Sequence, residues 1–275
     1  MLKSNCFDIA VLICVYKKDD PFHLKQALDS VFFQNNMDLY KIKLYIHVDG
    51  EIDNALNEII LNSNYYRIIR SNNNIGLAKG LNKLINELEN EKYVFRMDAD
   101  DICDKERFWK QILFMENNPE IDFSGGSMSE FIGDMDNVVN KRVYPLLKND
   151  IINFMIKGSP FSHVTVCFRR SSFEKIGYYP DSFPLNEDIA LWDQAVRRNC
   201  NFANIKDNLI YVRMDNAYSR RTFIKAINEF KVYFKISMRM KKLPVFPLLR
   251  LFFRLLPTSL VAYFYNSPLR YKVLR

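Results

Sequence analysis

Residues 93–101 read Tyr-Val-Phe-Arg-Met-Asp-Ala-Asp-Asp, a short apolar run that ends on three carboxylates, and this stretch decides the fold. Short apolar runs that contain β-branched and aromatic residues are typical of buried strands. Similar runs at residues 8–15, 43–49 and 66–70 predict three more strands, the first of them buried on both faces.

Helix-like segments separate these strands, at residues 21–34, 54–62 and 77–90. Repeated strand–helix units predict an α/β fold with a mostly parallel sheet, in which ligands bind beyond the carboxyl ends of the strands. The second half is less regular, and its predicted elements are a helix at 107–117, a strand-like run at 123–131 broken by Gly125-Gly126, a strand at 164–169, a helix at 186–198 and two short paired strands at 202–205 and 209–213.

Composition and charge exclude several classes of protein. The chain has 275 residues, 48% of them apolar and 26% charged, which is typical of a globular protein. Its five cysteines are widely spaced without a C-x-x-C pair, which argues against a disulfide framework or a cysteine zinc site and predicts a reducing compartment. Residues 1–8 lack the apolar core of a signal peptide, so export is not expected.

The net charge of +7 is distributed unevenly. Residues 231–275 contain ten Lys or Arg and no Asp or Glu, so the other 230 residues sum to −3. This division argues against a nucleic-acid binder and for a C-terminal segment with its own partner. We therefore predict one domain over residues 1–221 and a helical, basic segment over residues 222–275.

Three carboxylates, those of Asp98, Asp100 and Asp101, crowd the end of the fourth predicted strand. Like charges so close repel each other, and a bound cation relieves the repulsion. Ligands that are all oxygen favour Mg²⁺ or Mn²⁺. An EF-hand is excluded, because its twelfth position would be Trp109 where a glutamate is required. A helix N-cap by Asp100 or Asp101 remains an alternative.

Two further motifs are weaker when taken alone. Glu187 and Asp188 open a predicted helix, where acidic residues are also common for electrostatic reasons. The segment 74–82 (N-I-G-L-A-K-G-L-N) offers small residues and free N–H groups to a phosphate, or is a plain helix start. It matches neither the dinucleotide-binding nor the P-loop pattern.

Together, in order and spacing, these motifs resemble those of family 2 glycosyltransferases, the inverting enzymes of the GT-A fold, over most of residues 8–220. The motifs that carry the resemblance are Val15-Tyr16, Val48-Asp49-Gly50, Asn74-x-Gly76-Leu77-Ala78 with Asn82, Arg96-Met97-Asp98-Ala99-Asp100-Asp101, Gly125-Gly126 with Glu130-Phe131, Glu187-Asp188 with Leu191-Trp192, and Tyr211-x-Arg213. The R-M-D-A-D-D and E-D-x-x-L-W motifs resemble the bacterial branch that builds O-antigens, capsules and exopolysaccharides. The chain lacks the Q-x-x-R-W motif of processive synthases, which favours addition of a single sugar.

The resemblance implies a UDP-sugar donor and a divalent cation, Mn²⁺ or Mg²⁺. Tyr16 would stack on the nucleobase and Asp49 would accept the uracil N3–H, although Asp49 could simply cap the turn before Gly50. Asp98 and Asp100 would form the metal-binding D-x-D, with Asp98 facing the ribose or a metal-bound water.

The resemblance also implies that Asp188 is the catalytic base and that Glu187 is a neighbouring acceptor contact. Inversion in one displacement requires a base and no protein nucleophile. The Glu187 charge would raise the pKa of Asp188, which suits a base at neutral pH. Among other acceptor contacts, Trp192 is one candidate, and His163 is either another or an ordinary half-buried, hydrogen-bonded histidine.

Four basic residues remain candidates for the donor site. Lys79, Arg213 and Arg220 are each either a diphosphate ligand or a solvated surface residue. Arg96 is either part of an ion pair at the edge of the core or a sugar contact.

The basic segment has a longest uncharged run of 15 residues, 255–269, which is shorter than the ~20 residues needed to span a bilayer. Basic residues among Leu, Phe and Tyr predict peripheral contact with an anionic membrane surface, on the cytoplasmic face. An undecaprenyl-diphosphate-linked glycan acceptor would fit that location. The alternative is a helical pair that packs on the catalytic domain.

Two competing functions stay open. A nucleotidyltransferase should have a glycine-rich phosphate loop after the first strand, but residues 15–20 (V-Y-K-K-D-D) contain no glycine. An inactive sugar- or lipid-binding module would tolerate loss of Asp100 or Asp188, and both are present.

Overall fold

Strand β1 (Phe7–Val15) has neighbours on both sides in the sheet and is buried on both faces, as its composition predicts. Successive side chains of a strand point to opposite faces of the sheet. Val11 and Ile13 therefore join one hydrophobic cluster, while Ala10 and Leu12 join a second cluster on the opposite face. The strand thus forms part of two cores, each covered by helices.

The computed structural model describes residues 6–215 and 223–256. Within them, the other strands are β2 (Tyr40–Asp49), β3 (Arg67–Ser71), β4 (Tyr93–Met97), β5 (Ile102–Cys103), β6 (Phe123–Phe131), β7 (Val138–Arg142), β8 (Cys167–Arg169) and β9 (Phe202–Arg213). The helices are α1 (Pro21–Phe32), α2 (Asn54–Leu61), α3 (Leu77–Asn86), α4 (Arg107–Asn117), α5 (Lys148–Phe154), α6 (Ser172–Ile176), α7 (Glu187–Arg197), α8 (Phe223–Arg239) and α9 (Val245–Leu255).

The sheet is mixed and mostly parallel, in the order β3-β2-β1-β4-β8-β6-β9-β5, with β7 paired to β6. Strands β1 to β4, β6 and β9 run in one direction, and β5, β7 and β8 run against them. Ile13 lies beside Ile46 and Met97 in the register. The residues that follow β1, β2 and β4 therefore meet at one edge of the sheet, as predicted.

Two sequence predictions about strands are wrong. The run at 123–131 is one continuous strand, because Gly125 and Gly126 permit close approach rather than break it; a Cβ on Gly126 would lie 2.5 Å from Leu209 Cδ1. The supposed pair at 202–205 and 209–213 is the single strand β9, which runs parallel to β6. The polar residues 206–208 sit where the register shifts, so they are accommodated without a turn.

Smaller differences occur nearby. Of the predicted strand 164–169, residues 167–169 form β8 and the preceding His163–Thr165 is a 3-10 helix. Helices α8 and α9 pack on each other, and Val232, Tyr233 and Ile236 of α8 join the second core. Residues 223–256 therefore form a helical pair that packs on the sheet domain through α8. The predicted domain border at 221 lies among residues 216–222, outside the described part.

Candidate active site

The acidic turn after β4 gathers three carboxylates. One ligand oxygen from each of Asp98, Asp100 and Asp101 lies within 4.8 Å of the others. Strand β5 follows at once and pairs with β9, which holds the turn in place. Arg213 of β9 reinforces it, because its backbone N–H donates to Asp101 Oδ1 at 3.1 Å and its Nε donates to the Asp100 carbonyl at 3.3 Å. The turn is therefore shaped by a strand more than a hundred residues away.

Asp101 does not cap the following helix, so that alternative is wrong. Helix α4 begins at Arg107, and Asp104 Oδ1 accepts the Glu106 N–H at 3.0 Å just before it. Asp101 is 2% exposed, and its Oδ2 is buried without a hydrogen-bond partner among the described residues. Burial, together with the charges of Asp98 and Asp100, raises the pKa of Asp101 well above its usual value. An orphaned oxygen in an all-oxygen cluster fits a hard divalent cation.

Arg96 presents a rigidly held guanidinium beside this turn. The residue lies in β4 and is 3% exposed. Its backbone N–H donates to the Val166 carbonyl at 3.1 Å, and its carbonyl accepts from Arg107 Nη2 at 3.0 Å. Its Nη2 forms an ion pair with Asp98 Oδ1. The Nε and Nη1 groups are buried without partners in the described chain, so they remain available to ligand oxygens.

Asp49, at the end of β2, organises the loop before α3. Its Oδ1 accepts the Ile75 N–H at 2.7 Å and its Oδ2 accepts the Gly76 N–H at 3.0 Å. Gly76 has φ +85°, a conformation that glycine adopts readily, and it precedes the first residue of α3. Asp49 therefore caps this loop rather than the turn before Gly50. Tyr16 follows the neighbouring strand β1 and is 38% exposed.

Arg213 is a positioning residue in this structure rather than a diphosphate ligand, which corrects the sequence prediction. Its Nη2 donates to Gln26 Oε1 at 2.7 Å and its Nη1 donates to the Gly133 carbonyl at 3.2 Å. Its guanidinium lies over the Phe131 ring, and the residue is 9% exposed. Together with its contacts on the acidic turn, these hydrogen bonds fix the guanidinium and hold the turn in place.

Lys79 lies in the first turn of α3 with 56% of its side chain exposed. Its Nζ is 3.9 Å from Asp181 Oδ2, which is the contact of a solvated surface lysine. Arg220, the remaining diphosphate candidate, lies outside the described residues.

Glu187 and Asp188 form the first turn of α7, and both have raised pKa values. Burial raises the pKa of Glu187 to about 7, and the charge of Asp188 adds to the rise. Burial also raises the pKa of Asp188. The predicted direction for Asp188 is confirmed, but desolvation causes it rather than its neighbour. The charges of Arg96 and Lys225 oppose both shifts. The charge of Arg96 therefore acts both on the acidic pair and on the acidic turn, where it forms an ion pair with Asp98.

His163 and Tyr179 line the same region. His163 Nε2 lies 2.8 Å from the Tyr179 hydroxyl, and burial together with the Arg96 charge lowers the pKa of His163 well below its usual value. The loop that carries Tyr179 is held by Asn82, whose side chain bonds the Tyr179 backbone carbonyl and N–H at 2.9 and 2.8 Å. Tyr179 was not predicted from the sequence, since no motif marks it. Its partner Asn82 does belong to one of the motifs that carry the resemblance.

Trp192 belongs to the core, and its prediction as an acceptor contact is wrong. The side chain is 1% exposed and stacks on Phe123 at 5.3 Å and against Phe161 at 5.0 Å. No face of the indole is left for a sugar. Its packing instead anchors α7 and so fixes the acidic pair at the start of that helix.

The raised pKa of Glu187 predicts a pH-dependent stability. The folded chain holds this proton up to about pH 7, whereas the unfolded chain releases it near 4.5, so the contribution to stability is lost as the pH rises between these values. The difference corresponds to about 3 kcal/mol above pH 7. Glu187→Gln should therefore raise the free energy of unfolding at pH 8 by about 1–3 kcal/mol, with no gain at pH 5.

Urea denaturation at both pH values measures this effect. Glu174→Gln is the matched control, since Glu174 is an exposed acid in the first turn of α6. Equal stabilisation by Glu187→Gln at pH 5 and pH 8 would contradict the assignment of the raised pKa.

Residues 10–177 match a family model described as Glycosyl transferase family 2. The chain is 31% identical to the amylovoran biosynthesis glycosyltransferase AmsE of Erwinia amylovora, over 94% of this chain and 98% of the relative. It is 30% identical to the UDP-Gal:alpha-D-GlcNAc-diphosphoundecaprenol beta-1,3-galactosyltransferase of Escherichia coli, over 95% of this chain and 96% of the relative.

A solved structure supports the fold. The crystal structure of S. aureus TarS 1-349 in complex with UDP-GlcNAc superimposes with a TM-score of 0.64 at 17% identity, over 95% of this chain and 74% of the other. The mixed, mostly parallel sheet with helices on both faces is therefore the GT-A arrangement that the sequence predicts.

Proposed function

The chain belongs to glycosyl transferase family 2, and on that premise we propose that it transfers one hexose, with inversion, from a UDP-sugar to a lipid-linked oligosaccharide in the synthesis of a bacterial surface polysaccharide. The relative AmsE is named for amylovoran biosynthesis, and the E. coli relative for a diphosphoundecaprenol-linked acceptor. The observation that carries the proposal is that one buried guanidinium, that of Arg96, pairs with Asp98 of the acidic turn and also acts on the charges of the acidic pair.

The donor would lie along the carboxyl edge of β1, β2 and β4. The exposed ring of Tyr16 offers a stacking surface, and each Asp49 oxygen keeps a second lone pair for the uracil N3–H beyond its backbone bond. The two unpartnered N–H groups of Arg96 would bind oxygens of the donor. Lys79 remains a more distant candidate for the diphosphate.

The acidic turn fits Mn²⁺ or Mg²⁺, with Asp100 and Asp98 as the proposed ligands and the unpartnered Asp101 oxygen beside them. A divalent cation bound there would supply Lewis-acid stabilisation of the departing diphosphate. Arg213 contributes by holding the turn in its ligating shape.

Asp188 is the proposed base. It takes the proton of the acceptor hydroxyl as that oxygen bonds to the anomeric carbon, and the bond from that carbon to the diphosphate oxygen breaks on the opposite face with its electrons leaving on UDP. Its raised pKa suits proton acceptance near neutral pH. Glu187 and His163 would position the acceptor, the histidine as a neutral group held by Tyr179.

A lipid-linked acceptor would place the reaction at a membrane surface, and we propose its cytoplasmic face. The basic segment over residues 222–275 would supply that peripheral contact.

A thermal-shift screen of nucleoside diphosphates and their sugars, with and without Mn²⁺, tests the donor. A ligand at a hundredfold excess over its Kd stabilises by about 2.7 kcal/mol, which raises the Tm by roughly 5 °C in a chain of this size. We expect that shift for UDP or a UDP-sugar with Mn²⁺, and a smaller one without the metal. A larger shift with GDP would contradict the uridine assignment. Binding without transfer would favour the inactive module.

A further inference from the structure

Helix α9 turns its apolar side chains outward. Val245, Leu248, Leu249, Phe252 and Leu255 are each more than half exposed. Their spacing of three, one, three and three residues places them on one stripe of the helix. An ordinary surface helix has the reverse arrangement, with its apolar stripe against the core.

Two ion pairs to one buried carboxylate hold this orientation. Arg250 Nη2 lies 2.6 Å from Glu229 Oε1, and Arg254 Nε lies 2.7 Å from Glu229 Oε2. Glu229 belongs to α8 and is 3% exposed. Burial alone would raise the pKa of Glu229, but the two arginines outweigh it and lower the pKa, so the carboxylate is charged at neutral pH. A buried charge is costly without its partners, so α9 cannot roll its arginines outward freely.

Exposed cations accompany the stripe. Lys241 and Lys242 are exposed in the turn between α8 and α9. Residues 231–275 contain no acid of their own, but Arg239, Arg250 and Arg254 pair with Asp193 and Glu229 outside that range. Apolar side chains flanked by lysines complement a surface of anionic lipid. None of the described helices is long and apolar enough to cross a bilayer.

The same helical pair contacts helix α7, which begins with the acidic pair. Arg239 Nε of α8 lies 2.7 Å from Asp193 Oδ1 of α7, the helix that begins with Glu187 and Asp188. Near the start of α8, Asn228 Nδ2 donates to the Pro184 carbonyl at 3.5 Å. The position of α9 is therefore linked through α8 to the helix that carries the acidic pair.

We propose that the outward stripe of α9 inserts among the headgroups of an anionic bilayer and sets the height of the acidic pair above a membrane-embedded acceptor. The second part rests on the proposed function, whereas bilayer binding is measured without any transfer. The proposed partner of the stripe is a lipid surface. The experiments below also detect the case in which a second copy of the chain or residues 257–275 cover the stripe.

Sedimentation of the full chain with vesicles is the first test, using phosphatidylcholine alone or mixed with phosphatidylglycerol. We expect binding to the mixed vesicles, and Leu249→Ser/Phe252→Ser should weaken it about tenfold or more, because each side chain loses its apolar burial. Phe33→Ser is the control, since it removes a 76% exposed phenylalanine more than 200 residues before α9, and this variant should bind vesicles like the wild type. Unchanged binding by the double variant, or equal loss in the control, would overturn the proposal.

Phe252→Trp identifies the occupant. Its fluorescence should be quenched by iodide in solution and by brominated lipid once vesicles are added, after subtraction of the wild-type signal. Protection from iodide without vesicles would mean that protein covers the stripe, and would overturn the proposal. Sugar transfer to a short-chain, water-soluble acceptor separates bilayer binding by α9 from the proposed function. The double variant should retain this transfer. If neither the wild type nor any variant transferred sugar while vesicle binding stayed intact, only the proposed function would be contradicted.

Discussion

Asp188→Asn is expected to lower kcat for sugar transfer by about 10²- to 10⁴-fold, the usual contribution of a positioned general base. The amide keeps the size and the place of the carboxylate at the start of α7 but cannot accept the acceptor's proton. Because Asp188 lies across the cleft from the nucleotide edge in the proposed arrangement, the UDP-sugar should bind as in the wild type. The expected signature is therefore a loss in kcat with an unchanged donor-induced shift in Tm.

The matched control is Asp150→Asn, since Asp150 is an exposed acid in the first turn of α5. It should retain full activity, which would exclude a general effect of acidic residues at helix starts. Glu187→Gln should lose less than Asp188→Asn. If the order were reversed, the base would be Glu187, whose pKa of about 7 also suits proton transfer. Full activity in Asp188→Asn would eliminate the assignment.

The edge of the sheet where the site forms could be predicted from the sequence, because local patterns determine it. Apolar runs identify β1, β2 and β4, and parallel strands necessarily bring their carboxyl ends to one edge. Asp49 and Asp98 each stand at the end of such a run, so their proximity follows from topology alone. The functional role of the acidic pair at the start of α7 could be predicted only from the family resemblance, because acidic residues at the start of a helix are common for electrostatic reasons.

Contacts between distant segments were not predictable. From the sequence alone Asp101 resembles a helix cap. In the structure its Oδ1 instead accepts a hydrogen bond from the backbone N–H of Arg213, 112 residues later. Trp192 carries no signal that separates a sugar-stacking ring from a core ring, because periodicity shows which face is apolar but not what covers it. For the same reason the ion pairs of Arg250 and Arg254 in α9 were not predicted, since their partner Glu229 lies just before the acid-free residues 231–275.

A substitution in the acidic turn is expected to cause a second large loss of sugar transfer. Asp100→Asn should reduce transfer about a thousandfold at fixed Mn²⁺, since a Lewis acid contributes several kcal/mol and each 1.4 kcal/mol is a factor of ten. The amide removes one of three crowded charges, so it weakens the attraction for a cation while relieving the repulsion on buried Asp101. The variant should therefore fold at least as well as the wild type, and high Mn²⁺ should restore part of its activity.

Titration of transfer and of the UDP-induced Tm shift against Mn²⁺ concentration separates a metal ligand from a structural acid. A ligand role would move both midpoints to higher Mn²⁺ together, because in the proposed site the cation would bind together with the diphosphate. A structural role lowers activity without moving either midpoint, and that result would contradict the assignment. Asp38→Asn, a change at an exposed acid in a 3-10 helix, should leave both curves in place. Since Asp98 is already neutralised in part by Arg96, Asp98→Asn should move the midpoints less than Asp100→Asn does.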